Sequence, residues 1–274
     1  MRLIGTFKYL CGDNSNDGFG MVEQRKRVTT GIHGFDGLIQ GGFLPGRVYL
    51  VSGPPGSGKT TFGVQFLAHG GIKGEPGLYI TLSEPAETIM DDMSNYSFNI
   101  FGLMKLEKLQ FVDLGPTMAY NYLESGQNII TTDYQAQIEL SSEPEPPTPA
   151  SVFKEIHKYV TKYKAKRLVI DSLSSIRFTA EHPAAEEKSI THFIRNIKNL
   201  GCTTIILSEM TNPHSYTVEQ FVSNGVIFLH NFLDEESNTM KRAIQVIKMR
   251  GTKHDCDMRR IEFGDAGLSV LNKM

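Results

Sequence analysis

Residues 51–61 read VSGPPGSGKTT, and no other stretch narrows the possible folds so far. From Gly53 to Thr60 the run fits G-x-x-x-x-G-K-[ST]. The apolar residues from Val48 to Ser52 precede it, and helical spacing of Phe62, Phe66 and Leu67 follows it. Strand, glycine-rich turn and helix in that order make a phosphate cradle. The glycines let backbone N–H groups converge on a β-phosphate, and the helix start adds the positive end of its dipole. Lys59 is then placed to reach β- and γ-phosphates, and the Thr60 hydroxyl to ligate Mg²⁺. The candidate loop is Gly53, Pro54, Pro55, Gly56, Ser57, Gly58, Lys59, Thr60 and Thr61.

The surrounding pattern predicts the architecture. Short apolar runs (VYLVS, GLYITLS, LQFVD, RLVIDS, TTIILSE) alternate with longer segments of helical period, such as residues 183–200 with Ile190, Phe193, Ile194 and Ile197. Continuous apolar strands separated by helices predict an α/β fold with a mostly parallel sheet covered on both faces. Beyond residue 224 the rhythm changes. GVIFLHNF, MKRAIQVIKM, MRRIEF and GLSVL have no helices between them, which predicts antiparallel strands at one edge. Residues 1–20 end in an aperiodic Gly/Asn/Asp/Ser cluster and read as a flexible extension, with one domain over 21–274. Within that domain residues 114–150 hold ELSSEPEPPTPA, a Glu/Pro-rich loop.

A phosphate-bound metal needs a second anchor. RLVIDS provides Asp171 at the C-terminal end of a buried strand, beside the expected loop. Hydrolysis needs more, namely a group that orients or deprotonates water. GLYITLSEPAETI ends its strand at Ser83-Glu84, and Glu84 is the candidate base, since Glu87 can serve as the acidic residue of the helix that Pro85 introduces.

Composition excludes some alternatives. The formal net charge is −2, which argues against a protein built to bind nucleic-acid phosphates. Cys11, Cys202 and Cys256 are scattered and read as reduced thiols. No apolar run is long enough for a membrane span, and MRLIGTFKYL does not read as a signal sequence. The expectation is a soluble cytoplasmic protein.

Five segments in order resemble one family: TGIHGFDGLIQGGFLPG, LYITLSEP, LVIDSLSSI, FVSNGVIFL and IKMRGTKH. Over residues 26–272 the chain is similar to the KaiC branch of the RecA superfamily, above all to its single-domain archaeal and bacterial members. The resemblance implies a RecA-like P-loop core, a homo-oligomeric ring that is usually hexameric, and ATP with Mg²⁺ at each subunit junction. It also implies that the K-x-R-G-T-x-H run, here Lys248, Arg250 and His254, reaches the ATP of the neighbouring subunit, with Lys248 and Arg250 in a catalytic role. Strand alternation would put Lys248 and Arg250 on one face.

There are departures from the family pattern. Many relatives carry paired glutamates where this chain has Ser83-Glu84. The single P-loop contrasts with self-phosphorylating relatives that have two, so kinase activity does not carry over. Ser208-Glu209 falls where relatives sense nucleotide state. The function implied is an ATP-hydrolysing switch acting on protein partners, the alternative a non-hydrolysing ATP-binding scaffold. A recombinase or ring helicase is disfavoured, because the segment MTNPHSYTVEQ, where recombinases place DNA-binding loops, has no Lys or Arg.

Overall fold

Strand alternation divides the core into two halves. In the computed structural model, which describes residues 26–115, 148–176, 183–210, 212, 217–235 and 237–271, nine strands form one sheet. They are β1 (Val48–Gly53), β2 (Gly77–Thr81), β3 (Leu109–Asp113), β4 (Arg167–Asp171), β5 (Thr203–Glu209), β6 (Gly225–Asp234), β7 (Thr239–Met249), β8 (Arg259–Gly264) and β9 (Gly267–Val270), in the order β3-β2-β4-β5-β1-β6-β7-β8-β9. Tyr49, Val51, Tyr79, Val169, Ile205 and Leu207 point into one core. Their neighbours Val48, Leu50, Leu78, Leu168, Ile170 and Ile206 point into the other. Burial on both faces is why these strands read as unbroken apolar runs.

Helices cover both faces. α1 (Phe35–Leu38), α2 (Lys59–Ile72), α3 (Ala86–Ser94) and α4 (Ile100–Lys105) contribute to the first core. Helix α2 is buried along most of its length, from Thr61 to Ala68, as expected of a helix pressed between sheet and neighbours. An aromatic cluster of Phe35, Phe43, Phe62, Phe66 and Tyr49 packs beneath it. The second core is closed by α5 (Pro149–Tyr163) and α6 (Pro183–Asn199). α5 starts where Thr148 caps the Ser151 N–H at 3.2 Å and Pro149 takes the first turn; its buried stripe is Val152, Ile156 and Val160. The Glu/Pro-rich segment therefore ends at residue 148, and residues 116–147 lie outside the described ones, as do 1–25.

The C-terminal strands β6 to β9 pair antiparallel with one another as expected, and β6 also joins them to the parallel part of the sheet. β6 runs parallel to β1, pairing Tyr49 with Gly225 and Ser52 with Phe228; the reversal comes only at β6–β7. The reason lies in the connection. Residues 210–224, which include α7 (Val218–Val222), carry the chain from the end of β5 back to the start of β6, and only a crossover of that length permits parallel entry.

Candidate functional site

At the C-terminal end of β1 the chain turns through Pro54–Gly58 and enters α2 at Lys59. Two glycines here have steric reasons. A Cβ on Gly53 would lie 2.3 Å from the Leu229 carbonyl oxygen. Gly58 has φ +99° and its Cβ would lie 2.3 Å from the Phe263 ring. The Ser57 hydroxyl is buried without a hydrogen-bond partner among the described residues. Lys59 Nζ donates to the carbonyls of Gly53 (2.8 Å) and Pro54 (3.1 Å). Burial lowers its pKa, opposed by the negative charges of Glu209 and Asp171.

Three parallel strands deliver the other groups. Asp171 ends β4, and its Oδ2 accepts from Thr60 Oγ1 at 3.3 Å and from the Tyr79 hydroxyl at 2.5 Å. Burial raises the Asp171 pKa, while those two hydrogen bonds and Lys59 oppose the rise. Glu84 follows β2, whose last residue, Thr81, lies level with Asp171. The Thr81 hydroxyl donates to the Glu84 carbonyl at 2.6 Å and accepts from the Glu84 N–H at 3.2 Å, which pins the backbone under that carboxylate. Glu84 is exposed, yet desolvation of its carboxyl, then the charges of Asp92 and Asp171, raise its pKa. Ser83 beside it is exposed, and Pro85 sits just before α3 in the N-cap position. Glu209 ends β5 level with Gly53, and Ser208 before it is buried.

Lys248, Arg250 and His254 are not part of this constellation. β7 runs against β6, so Met249 lies level with Gly225, at the opposite end of the sheet from the loop. Strand β7 ends at Met249, and the register slips near Val226, so strand alternation does not govern Arg250. Lys248 and Arg250 nevertheless converge. Lys248 Nζ donates to the Gln220 (2.6 Å) and Phe221 (2.9 Å) carbonyls, and Arg250 Nη2 to Phe221 at 2.8 Å. Burial, then Arg250 and Lys198, push the Lys248 pKa down to about 8. His254 Nδ1 lies 3.1 Å from the Thr252 carbonyl.

The structure adds residues that the sequence did not single out. A cleft of about 400 Å³ opens beside the loop, lined by Gly56, Gly58, Lys59, Thr60, Thr61, Tyr96, Arg242 and Phe263. Arg242 Nε donates to the Gly56 carbonyl at 3.0 Å, and its guanidinium lies 5.2 Å from the Phe263 ring centroid. Asn231 Nδ2 donates to the Pro55 carbonyl at 3.4 Å. Only Tyr79 left a signal in the sequence: a phenol inside an apolar strand needs a partner for its hydroxyl.

The donor chemistry fits a magnesium nucleotide. A hydroxyl and a carboxylate, both hard oxygen donors, are what Mg²⁺ takes from a protein when phosphates and water complete its shell. The cradle between Gly53 and Gly58, with the unpartnered Ser57 hydroxyl, suits an anion.

A family model described as "ATPase: KaiC" matches residues 28–274. The chain belongs to the KaiC family. It is 31% identical over 254 residues to the circadian clock oscillator protein KaiC of Parasynechococcus marenigrum, covering 90% of this chain and 45% of that protein. The protein of the same description from Thermostichus vulcanus is 32% identical over 234 residues, covering 84% and 41%. The chain thus spans less than half the length of these relatives. A crystal structure of a KaiC-like protein from Pyrococcus horikoshii is similar, with a TM-score of 0.71 at 30% identity, covering 90% of this chain and 99% of that one. The KaiC-like character and the RecA-type fold follow from these matches together with the sheet order.

Proposed function

We propose that this KaiC-family chain binds and hydrolyses ATP with Mg²⁺, in a closed homo-oligomeric ring, most simply a hexamer, that works in the cytoplasm as a switch on protein partners. The observation that carries the reading is the convergence of Lys59, Thr60, Asp171 and Glu84 at one end of the sheet. Thr60 and Asp171 would hold the metal, which would offset the negative charge of the nucleotide's phosphates. Lys59 exchanges its carbonyl partners for β- and γ-phosphate oxygens. Glu84 orients a water and takes its proton as the water oxygen bonds to the γ-phosphorus and the bond to the ADP oxygen breaks. The raised pKa of Glu84 makes it a stronger base than an ordinary carboxylate. The adenine end of the nucleotide would lie in the cleft walled by Tyr96, Arg242 and Phe263.

Lys248, Arg250 and His254 would serve the site of the next subunit. A loop at one end of the sheet and cations at the other form a heterologous contact, which repeats until a ring closes. The family resemblance lends support to a second reading, an ATP-binding scaffold without turnover: Ser83 precedes Glu84 here, where the family pattern implies a second glutamate. Phosphate release and intact mass, measured on wild type and Lys59→Ala with Mg-ATP, separate the readings. Steady release that Lys59→Ala abolishes supports the ATPase. Tight binding without release supports the scaffold, and Lys59→Ala with wild-type affinity for fluorescent ATP overturns both. A mass gain of one phosphate on the chain would reveal autokinase activity.

A further inference from the structure

Tyr79 is the largest polar side chain turned from β2 toward the loop. It is fully buried and packs 5.3 Å from the Phe111 ring, a position that phenylalanine would fill equally well. What distinguishes tyrosine is the hydroxyl, and that hydroxyl donates to Asp171 Oδ2. Thr60 Oγ1 donates to the same oxygen. The result is a hydroxyl–carboxylate–hydroxyl chain running from the core of the sheet to the first turn of α2.

We propose that Tyr79 is a positioning residue for the magnesium site, fixing the Asp171 carboxylate so that Thr60 presents its oxygen lone pairs to the metal. This role rests on the nucleotide reading above and on the directionality of the Thr60 hydroxyl. A serine or threonine hydroxyl has one proton and two lone pairs. If the proton is committed to Asp171, both lone pairs are left for a cation. That commitment holds only while the carboxylate keeps its rotation about Cβ–Cγ, and Thr60 at 3.3 Å is a long donor to hold it alone. Tyr79 supplies the shorter hydrogen bond to that oxygen, from the buried core of the sheet. The register makes this possible: Tyr79 lies level with Val169, two residues before Asp171 and on the same face, so a ring of phenol length reaches the carboxylate along the strand direction. Outer groups that orient a metal ligand typically account for about 10–100-fold in metal affinity.

The test is a linkage measurement on the full chain. Fluorescent ADP is titrated into wild type, Tyr79→Phe, Asp171→Asn and the double variant, once in EDTA and once in saturating Mg²⁺. The ratio of the two affinities reports how strongly metal and nucleotide support each other, independent of turnover. Tyr79→Phe should leave the EDTA affinity within about twofold of wild type while the ratio falls about 10-fold or more, or to that of Asp171→Asn. In the Asp171→Asn background it should change the ratio by less than about twofold, because both changes act through one carboxylate. A Tyr79→Phe ratio equal to wild type overturns the assignment, and so does a variant that loses metal-free affinity in parallel, since the hydroxyl then holds the fold. A wild type without metal-dependent binding would remove the magnesium reading itself, whereas normal wild-type coupling with an unchanged variant removes Tyr79 alone.

Discussion

The proposed action of Arg250 in a neighbouring site can be tested by mixing two inactive proteins. The geometry within one chain sets the expectation. Gly53 lies against Leu229 on β6, while Met249 lies level with Gly225 on the same strand. Four residues at about 3.3 Å each separate those levels, and Arg250 lies one residue further on. Crossing from β1 to β7 adds two strand spacings of about 4.8 Å. Arg250 therefore starts about 20 Å from the loop of its own subunit, on the far side of the sheet, beyond the span of an arginine side chain. An arginine finger is worth about 10³–10⁵ in rate, so Arg250→Ala should be almost inactive alone, as should Lys59→Ala. Mixed one to one with free exchange, about a quarter of heterologous junctions would pair an intact loop with an intact arginine. Phosphate release should recover to about a quarter of wild type if sites act independently. Native mass spectra verify exchange, and dilution of wild type with Lys59→Ala measures any cooperativity separately. A mixture that exchanges, has a linear dilution curve, and stays inactive at every ratio would refute the trans assignment. So would Arg250→Ala with full activity alone.

Three other outcomes follow from the site and its supports. Glu84→Gln should keep ATP affinity and lose about 10²–10⁴ in hydrolysis, with the wild-type rate rising with pH through a point above the ordinary glutamate value; an unchanged rate in a phosphate-release assay would make the carboxylate no more than a helix charge. Gly58→Ala should cost about 1–2 kcal/mol from the left-handed backbone alone, and more from the Phe263 ring, with nucleotide binding lost. Adding Phe263→Leu should restore the steric part of that stability in thermal melts but not the backbone part; full restoration would show that the φ value carries no cost. Lys248 at about 8 has a folded pKa below the 10.5 of an ordinary lysine, so between those values the unfolded chain binds the proton more tightly. Its contribution to stability should therefore rise with pH from about 8 to 10.5. Urea midpoints of wild type minus Lys248→Arg across that range check the sign, and a flat difference would contradict it.

The parts legible in the sequence are those written locally. Apolar runs fix where strands lie because both faces of the sheet are buried, and the glycine-rich turn is legible because the backbone it needs admits few residues. Asp171 was legible as the polar end of an apolar strand. The direction of β6 was not, because pairing partners are chosen by a crossover whose short helix, Val218–Val222, gives little periodicity to read. Arg242 and Phe263 escaped for a related reason. Each lies on a C-terminal strand of ordinary alternation, and only the antiparallel return of β7 and β8 brings them against Gly56 and Gly58.

That return has a mechanical consequence for the proposed ring. Arg242 pairs with Asn231 at the loop end of β7, and both side chains hydrogen-bond loop carbonyls, at Gly56 and Pro55. At its other end the same strand runs into Lys248 and Arg250, whose side chains share the Phe221 carbonyl. The strand spans eleven residues paired to β6, with one register slip near Val226, so it links the two ends directly. In the proposed ring, a nucleotide that moves the loop carbonyls would then pull on the strand that carries the cations proposed to serve the next subunit. Coupling between adjacent sites would then need no separate relay. It would be carried by β7 alone, and it should weaken when Arg242→Ala cuts the strand loose from Gly56 while Arg250 remains in place.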